Sequence, residues 1–159
     1  MPKVGELAPD FELRDDTSAS HRLSQRRGHY TVVYFYPADD TPGCTKEACS
    51  FRDNHAEFEA ADAEIWGLSP QGPESKAAFR AKYGLPFTLL ADADHKVADE
   101  YGAWGERVNS FGKTVTSILR SSFLVGPDGR IARVWPRVTP EAHAVEVLAA
   151  LKEAQATPA

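Results

Sequence analysis

Two cysteines, Cys44 and Cys49, stand five positions apart and are the only ones in the 159-residue chain. Sulfur so placed offers a nucleophilic thiolate, a reversible disulfide or a pair of metal ligands. A zinc site usually wants four Cys or His ligands in short paired spacings. Here the nearest histidine is His55 and the pattern is C-x4-C, so neither a metal nor another cofactor is expected. A structural disulfide framework is also not expected, because a reducing compartment keeps idle thiols reduced. Redox or nucleophilic work remains. Cys44 directly follows Thr41-Pro42-Gly43, which reads as an N-cap, a proline at the first helical position and a tight turn. In the first turn of a helix the free N–H groups and the positive end of the dipole favour a thiolate. The competing reading is a small buried hydrophobe, the commonest fate of a free cysteine. The turn speaks against it by presenting backbone donors to the sulfur.

The elements that must hold this turn follow from hydrophobic period. Thr31–Tyr36 (TVVYFY) is a β-branched and aromatic run, expected to be a central strand buried on both faces and ended by Pro37. Cys44–Ala61 carries Ala48, Phe51, His55 and Phe58 at helical spacing and predicts one helix. Strands are predicted at Glu64–Ser69 and Thr88–Ala91. Helices are predicted at Pro73–Tyr83, closed by Gly84, and at His95–Tyr101, closed by Gly102. Ser121–Val125 and Arg130–Val134 flank Gly126-Pro127-Asp128-Gly129 as a hairpin. Pro140–Ala154 reads as the last helix, capped by Thr139, with Val145, Leu148 and Leu151 on its apolar face. Leu13–Leu23 suggests a small N-terminal hairpin, Trp104–Ser117 a loop without clear period, and Ala154–Ala159 a frayed tail. The expectation is an α/β fold in one domain over residues 1–159: a central mixed sheet, parallel at its core and antiparallel at one edge, flanked by helices.

The bulk numbers narrow the partners. Eighteen basic against 23 acidic side chains give a net charge of -5, which argues against a nucleic-acid surface. No apolar run approaches the ~20 residues that span a bilayer, and the first residues lack the apolar core of an export signal. No membrane partner and a cytoplasmic location are the resulting expectations.

The stretch Tyr34–Asn54 (YFYPADDTPGCTKEACSFRDN) resembles the active-site segment of the peroxiredoxins, specifically the bacterioferritin-comigratory-protein or PrxQ group. Pro37, Thr41 and Cys44 meet its P-x-x-x-T-x-x-C pattern, and Cys49 meets its second cysteine. Similar stretches continue at Tyr83–Asp94, Tyr101–Glu106 and Arg120–Gly129, so the likeness spans nearly the whole chain. It implies a thioredoxin-like fold and a thiol peroxidase that reduces hydrogen peroxide and organic hydroperoxides. In that scheme Cys44 becomes a sulfenic acid, Cys49 resolves it as an intramolecular disulfide, and thioredoxin or a similar dithiol recycles it. The resemblance further implies that Thr41 and backbone N–H groups near Gly43 and Cys44 grip the peroxide. Arg120 would stand beside the sulfur, Glu47 would hold Arg120, and Pro37 would shield the site; a monomer is implied. Each has a plainer alternative: Pro37 as strand terminator, Thr41 as cap, Glu47 as an acid favourable to the helix dipole. Arg120, entering an apolar strand, needs a partner in any case.

Two other functions fit the same cysteines less well. A thioredoxin-type disulfide reductase calls for C-x-x-C at the helix start, and insulin reduction would reveal it. A redox sensor or holdase would use the fold without turnover, and sustained peroxide consumption would set it aside.

Overall fold

The run YTVVYF forms β3 (Tyr30–Phe35) at the centre of a seven-stranded sheet in a computed structural model that describes residues 1–109 and 111–156. Its alternation explains the centrality. Val32 and Tyr34 pack into one apolar cluster and Val33 and Phe35 into the other, all five residues from Thr31 to Phe35 being buried. On one side β3 pairs in parallel with β4 (Ala63–Ser69), which pairs in parallel with β5 (Thr88–Ala91). On the other it runs antiparallel to β8 (Ser121–Val125), followed by β9 (Ile131–Trp135) across the Gly126–Gly129 turn. The N-terminal hairpin of β1 (Glu12–Asp15) and β2 (Ser20–Arg22) joins the far edge through β5, giving the order β2-β1-β5-β4-β3-β8-β9.

The helices α1 (Pro42–Asp53), α2 (His55–Ala60), α3 (Pro73–Tyr83) and α5 (His143–Ala156) contribute to the cluster on the Tyr34 face. The short α4 (Lys96–Glu100) closes the Phe35 face through Val97 and Ala98. Gly84 ends α3 in the left-handed region at φ +60°, a conformation that a side chain would strain. No helix among the described residues is long and apolar enough to cross a membrane.

Four expectations are corrected. The helix drawn over Cys44–Ala61 is two helices, because the Asn54 side chain donates to the Ser50 carbonyl at 2.8 Å while its own N–H turns to Phe51. That local competition interrupts the ladder. His55, placed on the apolar face, is half-exposed as a result. The last helix begins at His143, three residues later than expected, so Thr139 and Pro140 do not open it. Counted from His143, its inner face is Ala144, Val147, Leu148 and Leu151, and Val145 stands 58% exposed. The aperiodic loop is a second sheet, with β6 (Trp104–Val108) antiparallel to β7 (Thr114–Ile118). Its turn is closed by Asn109, whose Oδ1 accepts from the N–H groups of Phe111 and Lys113. Of the expected tail, Ala154–Ala156 belongs to α5, and residues 157–159 lie outside the described residues.

Candidate active site

Thr41 takes the N-cap position in extended conformation and Pro42 is the first helical residue, which puts Cys44 in the first turn of α1. The first helical bond runs from Thr45 N–H to Thr41 C=O at 2.8 Å. The N–H groups of Gly43 and Cys44 precede it and have no partner within the helix. One element of the expectation changes here. The Thr41 hydroxyl makes no capping bond and instead donates to the Ala38 carbonyl at 3.2 Å, so its lone pairs are not spent on the helix.

Arg120 arrives at the start of the strand beside β3, just before Ser121, which pairs with Phe35. It lies between β7 and β8, where Leu119 N–H bonds to Ala103 C=O at 2.7 Å and the Ser121 hydroxyl bonds to Leu119 C=O at 2.9 Å. Pinned so, its guanidinium reaches over the start of α1. Nη1 donates to Glu47 Oε1 at 2.7 Å and Nη2 to Cys44 Sγ at 3.3 Å. Gly43 makes room for it, since a Cβ there would stand 3.1 Å from Arg120 Nη2 and 3.8 Å from Pro140 Cγ. Sequence reasoning gave Pro140 no part at this site.

Cys44 is buried, 1% exposed, and Glu47 is fully so. Burial pushes the Glu47 carboxyl up to about 7 against the pull of Arg120. Its Oε2 has no hydrogen-bond partner among the described residues, in keeping with that penalty. Burial also works against the Arg120 charge, but Glu47 and Cys44 outweigh it and hold the guanidinium above its ordinary value. His143, at the start of α5, bonds through Nε2 to the Ser122 hydroxyl at 2.7 Å. Burial, with Arg120 adding to it, draws its imidazole down to about 4, so it is neutral at physiological pH.

The structure thus brings together Gly43, Cys44, Glu47 and Arg120, with Thr41 at the mouth of the same helix. Cys49 sits half-buried on α1, about 140° around the axis from Cys44. Pro37 follows Tyr36 at the exit of the central strand and accepts a bond from Gln71 at 3.3 Å. Chemically, the arrangement offers a sulfur nucleophile, a charged planar donor beside it, and backbone donors on the helix axis. Such donors can stabilise an oxygen that gains charge.

Comparison with known proteins gives a consistent result. The profile of the AhpC/TSA family matches residues 4–134. Peroxiredoxin Bcp of Bacillus subtilis (strain 168) is 44% identical over 151 residues, covering 95% of this chain and 96% of that one. Peroxiredoxin Bcp of Escherichia coli K12 is 42% identical over 151 residues, with the same coverage of each chain. Among solved structures, the bacterioferritin comigratory protein of Xanthomonas campestris, studied for its alkyl peroxide reduction activity, superposes with a TM-score of 0.87 at 36% identity. That match covers 96% of this chain and 99% of the other.

Proposed function

Since this chain belongs to the AhpC/TSA family, as a peroxiredoxin of the Bcp/PrxQ type, we propose that Cys44 is its attacking thiol and Cys49 its resolving thiol. The family makes it a thiol peroxidase with a thioredoxin-like fold. The observation that supports the finer reading is the single guanidinium joining Glu47 to the Cys44 sulfur at the start of α1.

In the proposed first step the Cys44 thiolate attacks the distal oxygen of a hydrogen or organic hydroperoxide. An S–O bond forms, the O–O bond breaks, and the leaving oxygen takes a proton to depart as water or alcohol. Arg120, the Thr41 hydroxyl and the N–H groups of Gly43 and Cys44 hold the two oxygens in line with the sulfur. Pro37 limits the approach of water. In the second step the Cys49 thiolate attacks the sulfenic sulfur, an S–S bond forms, and the hydroxyl leaves as water. A dithiol reductant, thioredoxin by this reading, then returns both cysteines to thiols. The whole chain works as one domain and as a monomer, in the cytosol.

Steady-state consumption of hydrogen peroxide and of an organic hydroperoxide tests this, with thioredoxin compared against glutaredoxin and glutathione. Turnover is expected with thioredoxin. Insulin reduction without peroxide turnover would sink the reading in favour of a disulfide reductase.

The second step requires a change of shape. Five residues along a regular helix separate two Cα atoms by roughly 8.7 Å with side chains diverging. A disulfide tolerates about 4.4–6.8 Å. Both cysteines lie within α1, so at least one turn of it must unwind before the bond closes. Amide exchange over Thr45–Arg52 is therefore expected to accelerate sharply in the disulfide form, with the inner turns of α5 little changed. A Cys44–Cys49 bond on an unbroken α1 would end this account.

A further inference from the structure

Lys76 is the one fully buried lysine among the described residues, and the peroxidase chemistry above makes no use of it. It sits on α3, one turn before Phe79, facing inward where the period calls for an apolar residue. Its three ammonium hydrogens meet three acceptors. Nζ donates to Ser69 Oγ at 2.5 Å, to Tyr36 Oη at 3.2 Å and to Asp39 Oδ1 at 3.4 Å. The Asp39 carboxylate, its side chain 2% exposed, also accepts from Tyr36 Oη at 2.5 Å and from Ser75 Oγ at 2.8 Å. Gln71 extends the network into the backbone of the loop: its Oε1 accepts from Asp39 N–H at 3.2 Å and its Nε2 donates to Pro37 C=O at 3.3 Å.

This is a buried ion pair with nearly complete hydrogen bonding, and it joins the ends of β3 and β4 to α3. What it grips is the loop that carries Thr41. That loop has reason to be gripped, because Asp40, the residue before Thr41, is held in the left-handed region at φ 58°. A second pair of side chains from α3, Lys82 at 2.8 Å and Tyr83 at 2.6 Å, fastens the Asp40 carboxylate from outside. The exposed clamp is screened by water, whereas the buried one is not.

We infer that Lys76, paired with Asp39, is a positioning residue for peroxide reduction: it locks the Pro37–Thr41 loop so that the Thr41 hydroxyl stays in register with the Cys44 sulfur and Arg120. The inference rests on Cys44 being the attacking thiol. Lys76 itself touches neither substrate nor sulfur. Its charge state suits the role. Burial draws it down to about 8, while Asp39 above all, then Asp92 and Cys44, hold it charged against that pull. At neutral pH it is chiefly the ammonium that the network requires.

The test is made in the full chain carrying Cys49→Ser, which isolates the first step. Oxidation of Cys44 by hydrogen peroxide is followed by quenched flow and mass measurement, beside alkylation of the same thiol by iodoacetamide. Alkylation needs the thiolate but no donors fixed in line with a leaving oxygen. Lys76→Met is expected to slow peroxide oxidation by about 10-fold or more, as misplacement of a reacting geometry does, with alkylation changed less than about 3-fold or made faster. The double variant Asp39→Asn with Lys76→Met removes both buried charges and so regains resistance to urea, and it carries the test if the single variant does not fold. Its peroxide rate is expected to stay low. Recovery of stability and peroxide rate together in the double variant would reduce Lys76 to a structural role and overturn the inference. So would equal losses in oxidation and alkylation, or no loss in either. If the parent itself shows no peroxide oxidation at Cys44, the reading of the first step fails, and this inference with it.

Discussion

Cys44→Ser is expected to bring peroxide reduction down to the solution background, a loss of more than about 10³-fold, while Cys49→Ser completes one fast turnover and stops. A hydroxyl is not meaningfully ionised at neutral pH and is a poor nucleophile toward an O–O bond, so serine at position 44 leaves the donors with nothing to assist. The two sulfurs are not equivalent in the fold. Arg120 Nη2 donates to Cys44 and not to Cys49, and only Cys44 lies in the first turn, next to N–H groups that have no partner within the helix. With Cys49 replaced, the sulfenic acid on Cys44 has no thiol to condense with and is trapped. A dimedone adduct at residue 44 after one equivalent of peroxide would register it by mass. The assignment is reversed if Cys49→Ser abolishes the burst and Cys44→Ser keeps it.

Arg120→Met carries the next largest effect, about 10²- to 10³-fold on the rate of the fully formed thiolate, the usual cost of deleting a donor aimed at developing charge. Ionisation alone accounts for little of the rate. Moving a thiol from a pKa of ~8.5 to ~6 raises its thiolate fraction at neutral pH about 30-fold. Nucleophilicity falls along a Brønsted slope of ~0.4–0.5, giving back roughly 10- to 15-fold and leaving a gain of about 2- to 3-fold. The rest of the rate has to come from donors that stabilise the departing oxygen. Arg120 is placed for that: one arm is held by Glu47 at 2.7 Å, and the other touches the sulfur. Rate constants for peroxide measured up to pH 10 separate the two contributions. A wild-type plateau in Arg120→Met at high pH would mean that arginine acts on ionisation alone. Arg120→Lys should recover little of the plateau, because an ammonium cannot serve two acceptors with a planar fork. Arg120→Met also strands Glu47 in the core, so a urea midpoint belongs beside each rate.

The candidate site was legible in the sequence where its geometry is local. Pro42, Gly43 and Cys44 specify a helix start with a sulfur on it, and the structure has that turn in place. The approach of Arg120 to Glu47 spans 73 positions and was reachable only through the family likeness, since no period in the chain encodes it. β3 declared itself by its β-branched and aromatic run, and α3 and β8 by the Pro and Gly that bound them. The β6–β7 hairpin did not, because its strands are half-exposed and polar, although Asn109, Gly112 and the Thr114-Val115-Thr116 run were signals in plain view. The break at Asn54 was hidden for a different reason. Phe51 and Phe58 keep helical spacing across it, and the interruption comes from one side-chain amide competing for a carbonyl. Lys76 illustrates a third kind of blindness. A lysine on an apolar stripe reads as a surface residue until its partner Asp39, 37 positions away, is seen across the sheet end.

The buried Glu47 ties the opening of α1 to the proton. While the helix is closed its carboxyl is held up at about 7, whereas once exposed it returns toward 4.5. Between those values the closed form binds the proton more tightly. Its contribution to closure is fully present below about 4.5 and is lost as pH rises through about 7. Glu47 lies between the two cysteines, inside the segment that the proposed disulfide requires to unwind, so unwinding there would release a proton. The linkage is on the order of a few kcal/mol at most, because Arg120 is shared between Glu47 and the sulfur. On the proposed scheme, acidity across that window favours the intact helix and the unresolved sulfenic acid, and each unit toward neutrality tilts the chain toward closing the disulfide.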